Sequence, residues 1–132
     1  VYYDGGLGQG AGIPLQLALD SGCSRIFAIL TRPKGFRKPA PDIGRSARMI
    51  ANSYHKYPYV REALLTRNER YNAELEKLEQ LAAEGKAYIV YADKMAVENN
   101  TTDIKKLRSS YFDGYNQAQK EFPRWLEWLG IE

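Results

Sequence analysis

Asp4 is the residue of this sequence best placed to do acid–base chemistry. It follows the β-favouring run Val1–Tyr3 and precedes Gly5 and Gly6. The run predicts a short strand, and the two glycines predict a sharp turn through positive φ. In open α/β sheets, reacting groups gather just beyond the carboxyl ends of strands. Asp4 could therefore act as a general base, although Asp-Gly is also a common turn dipeptide and Asp4 could be an ordinary turn residue.

Glycine fills five of the eight positions from Gly5 to Gly12, which predicts a loop bent for close backbone approach. Within it, Gly6–Ala11 matches G-x-G-x-x-[GA], a dinucleotide fingerprint. Arg32 at the end of a later strand could then meet a 2′-phosphate, as NADP requires. Against this alternative, Asp4 and an extra glycine separate the fingerprint from a strand of only three residues.

A basic loop follows at Arg32–Pro41. Its cations Arg32, Lys34, Arg37 and Lys38 are candidates for contact with an anion or a lipid headgroup. The alternative is a solvated surface. The net charge of +3 is otherwise spread over interspersed acids and bases, and we expect no nucleic-acid partner.

The elements that must position these residues begin as a βαβ unit. After the strand Val1–Tyr3, a helix from Ile13-Pro14 to Ser21-Gly22 is predicted to bury Leu15, Leu17, Ala18 and Leu19. The apolar run Arg25–Thr31 predicts a strand covered on both faces in a parallel sheet. The basic loop would then leave the sheet at the same edge as Asp4.

The rest of the chain is mainly helical by its periodicity. A helix is predicted from Ile43 to His55, and a long amphipathic helix from Tyr59 to Glu84 with Gly85 as its cap. Ala87–Tyr91 predicts a third strand. A last helix is predicted from Thr102 or Asp103 to Phe122, ended or restarted by Pro123. The predicted apolar stripes of the two long helices are Leu64, Tyr71, Leu75, Leu78 and Ala82, and Ile104, Leu107, Tyr111, Tyr115, Ala118 and Phe122.

These elements predict the α/β class: a partial parallel sheet of about three strands with several packed helices. The 132 residues suffice for one domain and one core. The single cysteine, Cys23, and the single histidine, His55, do not make a zinc site, and we expect no metal and no cofactor. His55 lies near a predicted helix end, where a capping or surface role is expected. No apolar run has the length of a membrane span.

Four segments in order resemble patatin-like phospholipases. They are Asp4-Gly5-Gly6 with its glycine loop, Ile13-Pro14 with Ala18 and Gly22, Arg25–Lys38, and Arg67–Asn72 with Gly85-Lys86. The stretch Thr31–Lys38 is especially similar to a bacterial branch of that family. The resemblance covers the chain to about Asp93 and is looser beyond it.

The resemblance implies an α/β acyl hydrolase with a Ser-Asp dyad, acting on a lipid or another carboxylic ester. Asp4 matches the dyad aspartate, with Gly5 and Gly6 as its supporting motif. Residues 1–35 would be the C-terminal end of the catalytic domain, and residues 36–132 a helical region with one further strand.

The family's nucleophile motif, G-x-S-x-G, does not occur in the sequence. We therefore expect the chain to be the C-terminal part of such an enzyme, inactive alone and partnered by the missing N-terminal part. With that part of the sheet absent, the chain alone is expected to form a homodimer or a larger assembly. We expect a cytoplasmic protein, with transient contact to a membrane surface as an option.

Overall fold

A computed structural model describes residues 4–39, 45–98 and 100–131. They form two compact units. The first contains the described residues up to Ile26 and from Arg37 to Ala87, and the second contains Phe27–Phe36 and the described residues from Tyr88 onward. The predicted division into residues 1–35 and 36–132 concerns the regions of a family rather than compact units, and it stays a prediction.

The first unit is helical. A 3₁₀ turn precedes four α-helices, in the order Gly5–Leu7, α1 (Leu15–Asp20), α2 (Arg45–Ser53), α3 (Pro58–Leu65) and α4 (Arg67–Ala83). The predicted start of α2 at Ile43 lies outside the described residues. His55 follows α2 and is exposed, and its Nδ1 lies 2.9 Å from the carbonyl oxygen of Asn52, as a capping role predicts.

The predicted buried side of α1 is only partly correct. Leu15 is buried, but Leu17 is 69% exposed and Leu19 is 36% exposed. An α-helix turns 100° per residue, so two leucines two positions apart point to nearly opposite sides. The six residues of α1 can therefore bury Leu15 without burying Leu17.

The predicted single helix Tyr59–Glu84 is wrong, because it is divided at Thr66 into α3 and α4. The Thr66 hydroxyl donates a hydrogen bond of 2.9 Å to the Glu62 carbonyl, one turn earlier. Threonine side chains that bond back to this carbonyl bend helices. The hydroxyl also accepts a bond of 3.2 Å from Arg70 Nε, which holds the bend in place.

Helix α4 forms the core of the first unit. Tyr71, Leu75 and Leu78 are buried on it, as the apolar stripe predicts. At its end Gly85 adopts φ of 74°, and the amides of Gly85 and Lys86 bond to the carbonyls of Ala82 and Leu81. This pair of bonds is a Schellman motif, so the predicted glycine cap is confirmed.

A parallel sheet of two strands, β1 (Ile26–Leu30) and β2 (Ala87–Tyr91), lies mainly in the second unit. The first residue of each strand, Ile26 or Ala87, belongs to the first unit. Both strands agree closely with prediction, whereas the third predicted strand, Val1–Tyr3, lies outside the described residues. The prediction that β1 is covered on both faces is wrong in the part of the chain described here, because Ile29 is 66% exposed.

Helix α5 (Ile104–Leu129) completes the second unit. Asp103 caps it, accepting hydrogen bonds from the amides of Lys105 and Lys106, as predicted. The expected stop or restart at Pro123 does not occur, because the helix continues through this residue. Side-chain bonds from Gln117 and Trp125 to the Glu121 carboxylate support the turns on either side of it.

Aromatic rings join the end of α5 to the sheet. The Phe27 ring stacks on Tyr88, with 5.4 Å between centroids, and lies 5.8 Å from Trp125 and 6.1 Å from Trp128. Such ring pairs stabilise a core beyond their buried area. These ring contacts anchor the last turns of α5 to the sheet.

The predicted apolar stripe of α5 is exposed over most of its length. Ile104 and Tyr111 are 66% and 67% exposed, and Leu107, Tyr115 and Phe122 are also exposed. Helical spacing predicts which residues share a face, but it does not identify what covers that face.

Among the described residues, no helix is both long and apolar enough to cross a membrane.

Candidate functional site

Asp4 lies in the first unit as the N-cap of the Gly5–Leu7 turn. Its Oδ1 accepts a hydrogen bond of 2.5 Å from the Gly6 amide, and its carbonyl accepts one of 3.0 Å from the Leu7 amide. Asp4 is exposed, and the described residues offer its second oxygen, Oδ2, no hydrogen-bond partner. The carboxylate is therefore fixed through one oxygen and available through the other.

The glycine loop behind Asp4 uses its glycines in two ways. Positive φ occurs at Gly10 (79°), Ala11 (50°) and Gly12 (114°), not at Gly5 or Gly6 as the sequence suggested. Gly6 instead lies close to two side chains, because a Cβ there would lie 2.8 Å from Arg67 Nη2, the far end of a flexible side chain, and 3.0 Å from Asp4 Oδ1. Gly5 and Gly6 therefore form part of the 3₁₀ turn without positive φ. The sharp turn of the chain follows later, at Gly10–Gly12.

The start of α4 holds this loop through a stretch that we name the clamp segment, Arg67–Asn72. Arg70 donates hydrogen bonds to three carbonyls, those of Leu7, Gly8 and Ala63. A guanidinium carries five donors in a fixed fork, so one side chain can bind several carbonyls at once. Arg70 therefore fixes the loop directly after Asp4 onto the helix.

Glu74 continues this support one turn further along α4. It is 5% exposed, and its Oε1 accepts a 3.0 Å hydrogen bond from the backbone N–H of Gln16. Its other oxygen, Oε2, lies 3.3 Å from Lys77 Nζ. Buried carboxylates are rare unless they are paired. Glu74 thus ties the first turn of α1 to α4.

Arg67 lies on the same helix beside Asp4, but it makes no such bonds with the described residues. Its Nε is buried and has no hydrogen-bond partner among the described residues. Asp4, Gly5, Gly6 and Arg67 line a cavity of about 420 Å³, together with Gln9, Gly12 and Pro14. The lining of this cavity therefore includes one carboxylate and one guanidinium, and we name it the Asp4 cavity.

The cations of the basic loop are engaged in part. Arg37 forms an ion pair of 2.5 Å with Glu79 on α4. Lys38 exchanges two backbone hydrogen bonds with the Asn72 amide, and its Nζ lies 3.9 Å from the Tyr71 ring centroid. Both residues therefore attach the loop to α4.

The other two basic residues belong to the second unit. The Arg32 guanidinium lies over the Phe36 ring, 5.0 Å from its centroid, and Lys34 is exposed. The two pairs of cations therefore lie in different units, and each pair is described within its own unit. Their contact with an anion or a lipid headgroup stays a prediction.

The geometry of the glycine loop differs from a dinucleotide site. In the fingerprint, the last glycine leads directly into a helix whose N-terminus receives the pyrophosphate. Here α1 begins at Leu15, and Ala11 and Gly12 still have positive φ. The Leu7 and Gly8 carbonyls are also turned to Arg70. These features do not favour the NADP alternative.

The second unit has a larger cavity, of about 540 Å³, at the carboxyl ends of β1 and β2. Gln117 of α5 shapes it, donating to the Tyr91 carbonyl and accepting from the Asp93 amide. The charged residues that line it are Asp93, Lys94, Asp113 and Lys120. Two acids and two bases balance, so their charge selects neither an anion nor a cation.

Sequence reasoning missed Arg67, Glu74 and Gln117 as residues that shape these sites. A signal was present for the first, since Arg67–Asn72 is one of the segments that resemble the phospholipase family. Glu74 and Gln117 stand among many other polar residues on long helices, and neither spacing nor composition distinguishes them.

One comparison with known proteins gives a match. A family model described as a domain of unknown function, DUF6363, matches residues 57–130, which include the clamp segment, β2 and all of α5. No curated protein and no solved structure matches the chain.

Proposed function

The chain belongs to the DUF6363 family, and from the resemblance of its ordered segments to patatin-like phospholipases we propose that it is the part of a patatin-like serine acyl hydrolase that supplies the dyad base, Asp4. The substrate class is a lipid or another carboxylic ester. In the family that the chain resembles, the nucleophilic serine lies in a G-x-S-x-G motif upstream of the dyad aspartate, and this sequence contains no such motif.

One observation carries the proposal: the Asp4 carboxylate is fixed through Oδ1 and lines a cavity with Oδ2 unbonded among the described residues. A Ser-Asp dyad has no histidine between its two members, so the carboxylate itself must contact the serine hydroxyl. A carboxylate with one oxygen held by the Gly6 amide is suited to receive that proton through the other.

The reaction then follows the chemistry of serine hydrolases. As the serine Oγ attacks the ester carbonyl carbon, its proton moves to Asp4 Oδ2. The tetrahedral intermediate collapses, the alcohol leaves with the proton, and an acyl-enzyme remains. Water then attacks the acyl carbon as Asp4 takes its proton, and the acid leaves as the acyl–Oγ bond breaks and Asp4 returns the proton to the serine Oγ.

Asp4 is exposed in this chain, and carboxylates are weak general bases in water. The proposal therefore requires the upstream part of the enzyme to cover the Asp4 cavity. Removing bulk water strengthens the interaction between the carboxylate and the serine hydroxyl.

The test is ester turnover by the complete protein with Asp4→Asn, beside the matched control Asp20→Asn. The asparagine amide oxygen can still accept the Gly6 N–H, so the turn is kept while the base is lost. Asp20 is also an exposed aspartate of the first unit, and its carboxylate bonds only to Gln16 in the described structure.

We expect Asp4→Asn to lower kcat by about 100-fold or more, the usual contribution of a positioned base. Asp20→Asn should leave turnover within twofold, and both variants should unfold at nearly the wild-type temperature. Turnover by Asp4→Asn within tenfold of wild type, about 1.4 kcal/mol on the barrier, would show that Asp4 is only a turn residue.

A further inference from the structure

Among the residues that line the Asp4 cavity, Arg67 has a buried hydrogen-bond donor without a partner among the described residues. It is half-buried, its Nε is out of contact with solvent, and its guanidinium makes no hydrogen bond or ion pair with the described residues. Arg70, one helical turn later, uses its guanidinium for four hydrogen bonds. Buried polar groups in native proteins are nearly always satisfied, so an exception such as Arg67 requires an explanation.

The geometry points to an anion-binding role: we propose that Arg67 binds the phosphodiester group of the ligand that enters the Asp4 cavity. The guanidinium fork matches the spacing of two phosphate oxygens, which it can bind with parallel hydrogen bonds. What this site implies about the substrate rests on the proposed function. If Asp4 is the base of an acyl hydrolase, a phosphodiester bound beside it makes the substrate a phospholipid-type ester.

The charges of the cavity favour a monoanion over a dianion. Arg67 and Asp4 are its only charged lining residues in the described part of the chain, and the others are Gly5, Gly6, Gln9, Gly12 and Pro14. A carboxylate on the same cavity repels a second negative charge more than a first. At pH 8 a phosphodiester carries one charge, whereas inorganic phosphate is largely a dianion.

Gly6 provides the space that this site needs. A Cβ at Gly6 would lie 2.8 Å from Arg67 Nη2, but a Cβ at Gly5 would meet nothing within 4 Å. Neither glycine has positive φ, so alanine fits the backbone at both. Gly6→Ala should therefore displace the guanidinium without removing its charge, and Gly5→Ala is its matched control.

The first measurement uses the unmodified 132-residue chain. Dimethyl phosphate is titrated at pH 8 and constant ionic strength while the Arg67 Nε–H signal is followed by NMR. We expect a saturable shift, and dimethyl phosphate should bind at least as tightly as inorganic phosphate. No saturable shift, or binding of inorganic phosphate without the diester, would overturn the inference.

The second measurement compares variants by calorimetric titration with dimethyl phosphate. Arg67→Gln and Gly6→Ala should weaken binding about tenfold or more, the usual effect of losing a charge-assisted hydrogen bond. Arg61→Gln removes an exposed arginine of α3, and this control and Gly5→Ala should remain within twofold. Equal weakening by Arg67→Gln and Arg61→Gln would mean general electrostatic attraction and would overturn the site.

Asp4→Asn separates this inference from the proposed function. Because it removes a negative charge from the cavity, it should bind dimethyl phosphate more tightly than wild type. If it binds the diester yet leaves turnover in the complete protein intact, the proposed base is wrong while the anion site stands. If turnover is lost but Arg67→Gln binds normally, the base stands and the anion site is wrong.

Discussion

The glycine loop that carries Asp4 leads to a graded prediction for three alanine substitutions. Gly5 has no positive φ and no atom within 4 Å of an added Cβ, Gly12 has φ of 114° and open space, and Gly10 has both positive φ and a collision. At Gly10 the added Cβ would lie 2.1 Å from the Ile13 carbonyl oxygen, which is backbone and cannot rotate away. The three sites thus separate conformational strain from steric overlap.

The expected magnitudes follow from these differences. Gly5→Ala should stabilise by about 0.4–1 kcal/mol, because alanine restricts the unfolded chain. Gly12→Ala should lower the free energy of unfolding by about 1–2 kcal/mol through left-handed backbone strain. Gly10→Ala adds overpacking of about 1–3 kcal/mol to a similar strain, so its total is roughly 2–5 kcal/mol. Domains of this size have about 5–15 kcal/mol in all.

The assay is urea unfolding followed by far-ultraviolet circular dichroism, with hydrogen exchange of the buried α4 residues Leu75 and Leu78 as a report on the first unit. Tryptophan fluorescence is unsuitable, since both tryptophans, Trp125 and Trp128, lie in the second unit. Equal stability of the Gly10 and Gly5 variants would refute the loop geometry and with it the described position of Asp4.

Three further predictions concern the isolated chain and the second unit. The purified chain should not hydrolyse a p-nitrophenyl ester above background, since a serine nucleophile and an oxyanion site are jointly required; measurable turnover would contradict this. It should self-associate at micromolar concentration, because Ile29 and Tyr111 are among its exposed apolar residues; sedimentation as a stable 15.0 kDa monomer would contradict this. Gln117→Ala should lower the stability of the second unit by about 2–3 kcal/mol, as three hydrogen bonds are lost. The exposed Gln119 offers the control, and equal urea midpoints for alanine at both sites would disprove a bracing role.

Local signals in the sequence predicted local structure well. The bounds of β2 at Ala87–Tyr91, the Asp103 cap and the Gly85 cap each depend on a few neighbouring residues whose chemistry is specific to that position. Strand propensity, a side chain that accepts amide bonds and a residue free to adopt positive φ are all readable without tertiary information.

Two of the wrong predictions depended on side-chain contacts that span a single helical turn and that propensity and periodicity do not identify. The bend at Thr66 is held by Arg70, and the continuity of α5 through Pro123 is accompanied by bonds from Gln117 and Trp125 to Glu121. The periodicity of α5 gave its apolar face correctly, but whether that face is covered depends on neighbours that periodicity does not contain.

The candidate site likewise contains one residue that the local sequence indicates and one that it does not. Asp4 was identified from its position before two glycines, and the structure adds that one of its oxygens is held by Gly6. Arg67 could not be assigned to the cavity from sequence, because 63 positions separate it from Asp4 and only folding brings it to the loop.

The most direct test of the central claim is the rate at which an active-site fluorophosphonate labels the complete protein. This reagent reacts with an activated serine and reports the base without requiring the natural substrate. The account predicts that Asp4→Asn lowers the labelling rate constant by about 100-fold or more, while Asp20→Asn labels like wild type. Labelling of Asp4→Asn at the wild-type rate would show that another residue activates the nucleophile.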